Sequence, residues 1–274
     1  MTPAWAALII IIATAISVAA MLLVRRRAPK GGFFADGDRA AGAFGVLATG
    51  FSVLLGLIIF LAFTSYDDSR SGAESEALTV AQQFEIAQFM PTAVRDDLSE
   101  DLVCYARSVV FVEWPILDEG GQEAAINPWT AQMFRTLKTA DPRSAPEQSA
   151  YDHWLDRTAD REAGRRDRIH GAVGVIPISL WVVLVFIALV IFGYMMFFAD
   201  SGERAKSQAM LVGSVAAVIA AMMLLIQFLD DPYRDGLGGL QPVAMERTLR
   251  ILGEARGLTD GIGRLPCDAA GRPI

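Results

Sequence analysis

Four long runs of apolar residues alternate with polar segments along the chain. Residues 4–24, 40–65, 171–199 and 209–229 contain no Asp, Glu, Lys or Arg. Each run has at least the roughly 20 residues that a helix needs to cross the hydrocarbon core of a bilayer. Because backbone groups find no water inside lipid, such runs must be helical. The pattern therefore predicts four transmembrane helices with the lipid bilayer as their surroundings.

The polar segment between the second and third runs also has a helical pattern. Its apolar residues recur at spacings of three and four, which is typical of amphipathic helices, and no stretch alternates as a strand does. We expect residues 69–90 to extend the second membrane helix. The predicted apolar stripes are Val94, Leu98, Leu102, Tyr105 and Val109; Trp129, Met133 and Leu137; Tyr151, Leu155 and Ala159; and, near the end of the chain, Met245, Leu249 and Leu252.

Proline and capping residues predict where these helices begin and end. Asn127 followed by Pro128 indicates a cap and a first helical residue, and Ser144 with Glu147 matches a capping box. We expect one helix to end near Trp114-Pro115. The predicted fold is all-α, with four transmembrane helices and an extramembrane helical domain inserted between the second and third. The predicted regions are residues 1–65, 66–170, 171–229 and 230–274, the last a C-terminal amphipathic helix and tail.

The charges are distributed unevenly. Of the 274 residues 53% are hydrophobic and 20% charged, and the formal net charge is −7. Residues 66–170 contain 20 acidic and 11 basic residues. Nucleic-acid binding needs basic patches, so an acidic domain excludes a nucleic-acid partner.

Basic residues on one side of the membrane predict the orientation. Five of them lie between the first two runs, and the short loop between the third and fourth runs adds two more. The positive-inside rule places these loops in the cytoplasm and residues 66–170 outside, in a bacterial inner membrane. These loop residues are Arg25, Arg26, Arg27, Lys30, Arg39, Arg204 and Lys206.

A second group of basic residues, Arg161, Arg165, Arg166 and Arg168, precedes the third run. It could contact lipid headgroups or line a vestibule that attracts anions. Because Asp160, Glu162 and Asp167 are interleaved with these arginines, we interpret the group as a solvated helix face.

Several motifs give the chain a family resemblance. They are FSVLLGLIIFLAFTSYDD at residues 51–68, the segment around EWP at residues 105–117, the PEQ helix start at Pro146, and LDDPYRDG at residues 229–236. With the spacing of the four runs, they make the chain similar to the bestrophin-like family of multi-pass bacterial membrane proteins. The resemblance implies a helix layout like that of bestrophins, which are oligomeric anion channels. It also implies a cytoplasmic large domain, opposite to the orientation that the charges indicate.

The second run carries a face of small and polar residues, Gly42, Gly45, Thr49, Ser52 and Gly56, at spacings of three and four. Small residues let helices approach closely within lipid, so tight packing is one interpretation. The other is a pore-lining face in a homo-oligomer, with Phe60 or Phe63 as a hydrophobic gate for small ions. We expect this face to contact other helices or an internal path.

Two acidic pairs flank the membrane runs: Asp67 and Asp68 follow the second, and Asp230 and Asp231 follow the fourth. If these helix ends adjoin, the four carboxylates could bind a cation. Solvated helix ends, with Asp231-Pro232 as a turn, are the interpretation that we favour. We therefore predict no metal site.

The two cysteines, Cys104 and Cys267, would both lie outside the cytoplasm in the orientation that the charges predict. Since that compartment is oxidising, we expect them to form a disulfide. Two unrelated thiols, with Cys104 buried as a small apolar residue, are the alternative.

No motif of an enzyme is present. His153 and His170 are far apart in sequence, and the chain has no Walker motif and no Gly-x-Ser-x-Gly elbow. We expect no catalysis and no cofactor. The leading hypothesis is a homo-oligomeric, bestrophin-like ion channel whose second helix lines the path. The alternative is a non-conducting sensor or scaffold that presents its helical domain to a partner.

Overall fold

The computed structural model describes residues 3–119, 127–234, 236, 238–258 and 264–274. Within these ranges the chain is helical, and no β-strand is present. The α-helices are α1 (Pro3–Arg25), α2 (Gly37–Ala87), α3 (Thr92–Ser108), α4 (Trp114–Asp118), α5 (Pro128–Lys138), α6 (Ala145–His170), α7 (Ile178–Phe197), α8 (Ala205–Asp230) and α9 (Val243–Leu258). A π-helical turn, Val109–Glu113, joins α3 to α4.

Four of the described helices are long and apolar enough to cross a membrane: α1, α2, α7 and α8. The 51 residues of α2 form one helix that continues past the apolar run, so the predicted extension is confirmed. The chain divides into two compact units, residues 1–65 with 174–230 and residues 66–173 with 231–274. The C-terminal segment, which the sequence suggests as a separate region, thus belongs to the same unit as the polar domain.

The first unit is the apolar helical bundle. α1 packs along α8, where a Cβ atom at Gly213 would lie 3.2 Å from Val18 Cγ2. The loops that follow α1 and α7 also contact each other: the Gly31 amide donates to Asp200 Oδ1 at 2.9 Å, and Arg25 Nη2 donates to the Ser201 carbonyl at 3.2 Å. Both basic loops of the sequence analysis therefore lie at the same end of the bundle.

The second unit has its own core, built on side chains from every helix of the polar domain and from the C-terminal segment. The stripes predicted on α3 and α5 are buried, as expected. The Asn127 cap and the Ser144–Glu147 capping box are also confirmed.

Two expectations for this unit, one helix end and one apolar stripe, are wrong. The helix does not end at Pro115, because a proline in the first turn of a helix has no amide hydrogen bond to lose, and α4 continues to Asp118. The buried face of α6 does not contain Leu155, which is 41% exposed, but Trp154, which is 1% exposed. The large indole ring of Trp154 turns that side of α6 toward the core, together with Arg161 and Arg168.

Candidate functional site: an uncovered face of α2 and a buried ion network

The small and polar face of α2 lies on the surface of the chain. Gly42, Gly45, Thr49, Ser52, Gly56, Phe60 and Phe63 are all exposed. Within the described part of the chain, a Cβ atom added at Gly42, Gly45 or Gly56 would meet nothing within 4 Å. The opposite face of the same helix is buried through Phe51, Leu55, Ile58 and Ala62. The chain by itself therefore covers one side of α2 and leaves this one open.

The hydroxyl groups on this part of α2 are satisfied within the helix. Ser52 Oγ donates to the Ala48 carbonyl at 2.9 Å, and Thr64 Oγ1 donates to the Phe60 carbonyl at 2.8 Å. Such back-bonding lets a hydroxyl face an apolar neighbour or water. Next to this face lies a more apolar one with Val53 and Leu57, which are 68% and 55% exposed. The apolar flank of α2 is thus suited to contact with lipid. The flank with the small residues can instead contact an apolar neighbour or water.

The four acidic boundary residues have different surroundings. Asp67 and Asp68 are exposed. Asp230 Oδ1 accepts from the Ile176 amide at 2.9 Å, and Asp231 forms an ion pair with Arg234 at 2.9 Å. Among the residues that the structure describes, no group of three or more His, Cys, Asp or Glu is arranged to bind a metal ion.

A buried ion network lies in the second unit and is centred on Arg168. Its Nε donates to Glu76 Oε2 at 2.5 Å, and its Nη2 donates to Glu113 Oε2 at 2.7 Å. All three side chains are fully buried. Buried charges are tolerated only when paired and hydrogen-bonded, and here each carboxylate has a further donor. Tyr105 donates to Glu76 Oε1 at 2.5 Å, and Asn127 donates to Glu113 Oε1 at 2.8 Å.

The charges in this network shift one another's pKa values. Burial alone would raise the pKa of Glu113, but Arg168 and Arg165 outweigh it, and the pKa lies below its usual range. Burial would lower the pKa of Arg168, yet the two carboxylates hold it well above its usual value. Burial, with the charge of Glu76 beside it, raises the pKa of Tyr105. Glu113 and Arg168 are therefore ionised at neutral pH, and Tyr105 is a neutral donor.

Two of the motifs behind the family resemblance, EWP and LDDPYRDG, meet at this network. Trp114 of the EWP motif lies 5.5 Å from the Arg168 guanidinium and packs edge-on against Tyr233 of the LDDPYRDG motif, with ring centroids 5.4 Å apart. The Tyr233 hydroxyl donates to the Arg168 carbonyl. These two motifs thus help to build the buried centre of the domain.

The network contradicts the interpretation of the arginine group as a solvated face. Arg161 is 1% exposed and Arg168 is fully buried, whereas Arg166 is exposed. Arg161 Nη1 donates to Gln83 Oε1 at 2.8 Å, and its guanidinium lies 5.0 Å from the Tyr105 ring centroid. Glu76 and Glu113 are not among the residues predicted from sequence, and Arg168 is predicted there as part of a solvated face. A usable signal existed, because Trp154, Arg161 and Arg168 are seven residues apart and so share a helix face.

The structure joins Cys104 of α3 and Cys267 of the C-terminal tail in a disulfide, with Cα atoms 5.8 Å apart. The tail is also hydrogen-bonded to the domain: Trp129 Nε1 donates to the Gly271 carbonyl at 2.7 Å, and Arg107 Nη1 donates to the Asp268 carbonyl at 3.1 Å. Gly271 has a φ of +83° and leaves no room for a Cβ atom against Ser108. Residues 267–274 are thus fixed on α3 and α5.

Comparison with solved structures supports the fold. Three structures of a bacterial Bestrophin homolog from Klebsiella pneumoniae, two of them point variants and one phased on zinc, are similar to this chain at 12% sequence identity. Their TM-scores are 0.69, 0.71 and 0.70. Each covers 90% of this chain and 98% or 99% of its own. A search of curated proteins gave no match.

Family membership follows from the sequence itself. Residues 5–239 match the Bestrophin-like domain, which is most of the chain. The match spans all four apolar helices and the motifs that meet at Arg168. The chain is a membrane protein that belongs to the Bestrophin-like family.

Proposed function

We propose that this protein is a homo-oligomeric ion channel, without enzymatic activity, in which α2 of each copy lines a central path. The observation that carries the proposal is the uncovered face of α2, where a Cβ atom at Gly42, Gly45 or Gly56 would meet no described atom within 4 Å. Within a membrane, a helix face of small residues and hydroxyl groups is typical of close helix contacts or of a water-filled path. Phe60 and Phe63, 64% and 53% exposed on the same face, would form the hydrophobic constriction.

Membership of the Bestrophin-like family supports this proposal, because bestrophins form channels. For the orientation, we infer that the domain built by the second unit lies outside the cytoplasm. The five basic residues between α1 and α2 support this orientation. So does the disulfide, since a bridged pair is typical of an oxidising compartment.

The direct test is flux through liposomes that contain the purified protein, measured for both anions and cations. We expect flux, and we expect Ser52→Cys to make it sensitive to a thiol-reactive, charged reagent. Leu57→Cys is the matched control, because it lies on the apolar flank of the same helix and should stay insensitive. Absence of flux for both ion signs would refute the channel, and equal sensitivity of the two variants would refute the path along α2.

The alternative, a non-conducting scaffold, is favoured by one feature of the second unit. A groove of about 730 Å³ runs between α2 and α9, and three exposed apolar side chains, Leu78, Val243 and Ile251, line it. Such a groove suits a helix of a partner protein. A monomer or a closed dimer in detergent, together with no flux, would favour this function over the channel.

A further inference from the structure

A polar pocket lies in the second unit between α3, α5 and the C-terminal tail. Its volume is about 390 Å³, within the range of small-molecule sites. Asp97, Glu100 and Asp101 line it from α3, and Arg135 lines it from α5. The lining thus contains three carboxylates and one guanidinium, so the pocket favours a positively charged occupant.

Asp101 is the residue in this pocket that most requires a partner. It is only 3% exposed, and within the described part of the chain its Oδ2 has no hydrogen-bond partner. A buried polar group without a partner carries a free-energy cost that a donor from a ligand would remove. By contrast, Glu100 already forms an ion pair with Arg256 of α9 at 2.9 Å.

Apart from Gln132, the remaining walls of the pocket are apolar. Pro128 and Trp129 line it from α5, and Pro273 lines it from the tail. Trp129 is fixed by its hydrogen bond to the Gly271 carbonyl, and the tail is fixed by the disulfide. An aromatic ring beside carboxylates is a typical environment for organic cations. A bare metal ion fits poorly, because no three carboxylates in the described ranges are arranged around one point.

We propose that this pocket binds a small organic ammonium ion, with the ammonium group donating to Asp101 and the apolar part packing against Trp129 and the prolines. This pocket shares no residue with the uncovered face of α2. It does not depend on ion conduction, and binding is measured directly.

The protonation of Asp101 gives the proposal a second readout. Burial, with Asp97 and Glu100 nearby, raises the pKa of Asp101 to about 7, against the lowering effects of Thr136 and Arg135. A carboxyl group that is neutral below that pH and ionised above it binds a cation better at the higher pH. Ammonium affinity should therefore rise between about pH 6 and pH 8.

The experiment is isothermal titration calorimetry of the full chain in detergent, with benzylamine as the probe and benzyl alcohol as its neutral isostere. We expect saturable benzylamine binding at pH 8, weaker binding at pH 6 and none of the alcohol. Asp101→Asn should weaken benzylamine binding at least about tenfold. Asp96→Asn, one helix position outside the pocket lining and paired with Arg95 on the surface, should leave it unchanged.

Several outcomes would overturn the proposal. These are no saturable binding of benzylamine at pH 8, equal affinity in the Asp101 and Asp96 variants, or binding of the alcohol as tight as that of the amine. Calcium chloride binding that depends on Asp101, without benzylamine binding, would make this a metal site instead. If Asp101→Asn fails to fold, the pH dependence of benzylamine affinity in the unmodified chain decides, and a flat profile refutes the role of Asp101.

Discussion

Gly72 of α2 and Gly164 of α6 lie against each other where the two helices cross in the second unit. A Cβ atom at Gly72 would lie 2.8 Å from the Gly164 carbonyl oxygen and 2.6 Å from the Arg168 amide nitrogen. A Cβ atom at Gly164 would lie 2.8 Å from the Glu76 amide nitrogen. The two glycines thus allow the backbones to approach closely at the level of the buried ion network.

Gly72→Ala should therefore destabilise the protein, because the added methyl group meets backbone atoms that cannot move away. We expect the free energy of unfolding to fall by about 1–3 kcal/mol, as for other overpacked contacts. The matched control is Gly253→Ala in α9, where a Cβ atom would meet none of the described atoms within 4 Å. That variant should gain roughly 0.5–1 kcal/mol from helix propensity. Denaturant unfolding in detergent measures both, and equal shifts would contradict the close crossing.

Gly56→Leu should prevent normal assembly. If copies of α2 pack around a central path, a large side chain on the uncovered face forces them apart. The stoichiometry in detergent, measured by light scattering, should fall or become heterogeneous. Val53→Leu, on the apolar flank of α2, should leave the stoichiometry unchanged. An unchanged stoichiometry in Gly56→Leu would mean that this face is not in contact with another copy of the chain.

Arg168→Met should be among the most damaging single changes in the second unit. It removes the cation between Glu76 and Glu113 and leaves two buried carboxylates facing each other. Breaking a buried ion pair in this way costs about 3–5 kcal/mol. Arg166→Met, on the exposed side of α6, is the control and should change stability little. Adding Glu76→Gln and Glu113→Gln to the damaged variant should restore part of the loss, and failure of that rescue would argue against charge as the cause.

Glu113→Gln should change how stability depends on pH. The pKa of Glu113 is lowered in the folded protein. Its ionised form therefore contributes stability above the ordinary carboxyl pKa, and this contribution is lost as the pH falls through the lowered value. Unfolding measured from neutral to acid pH should show a smaller loss of stability in Glu113→Gln than in the unmodified chain. Parallel pH profiles would mean that Glu113 is not held ionised.

The disulfide and the orientation can be tested together in cells. We expect Cys104 and Cys267 to be bridged in cells whose thiols are trapped by alkylation, and protease added to intact spheroplasts to cut the second unit. Cys104→Ser, Cys267→Ser and the double variant should each lose about the same stability, about 2–5 kcal/mol, because one bond is removed in every case. Free thiols, together with a second unit that the protease does not cut, would mean that the second unit lies in the cytoplasm.

Local patterns predicted most of this fold. The apolar runs, the 3–4 spacing of the stripes on α3 and α5, and the caps at Asn127 and Ser144 depend on neighbours within a few residues, and sequence shows them directly. The residues of the uncovered face of α2 could also be predicted, because the helix period alone determines which residues share a face. The disulfide pair was identifiable because only two cysteines exist.

The ion network could not be predicted from sequence, because it depends on residues that are far apart along the chain. Glu76, Glu113 and Arg168 come from three elements separated by 37 to 92 residues. Arg168 shares a helix face with the buried Trp154, but no local pattern shows which carboxylates it pairs with. The π-helical turn at Val109–Glu113 was unpredicted as well, since one extra residue in a helical turn leaves no pattern of its own. The pocket around Asp101 needs the tail to complete it, and its existence depends on tertiary packing.

The division of the second unit between two stretches of sequence has a consequence for the order of synthesis. Residues 66–173 leave the ribosome well before residues 231–274, and α7 and α8 are made in between. The last stretch supplies three contacts to the first. The Tyr233 hydroxyl donates to the Arg168 carbonyl, the Leu240 carbonyl accepts from Trp114 Nε1, and Cys267 forms the disulfide with Cys104. The core of the polar domain therefore cannot be completed until α8 and the residues after it have been translated. A truncated chain that ends at α8 would leave part of this core exposed to proteases.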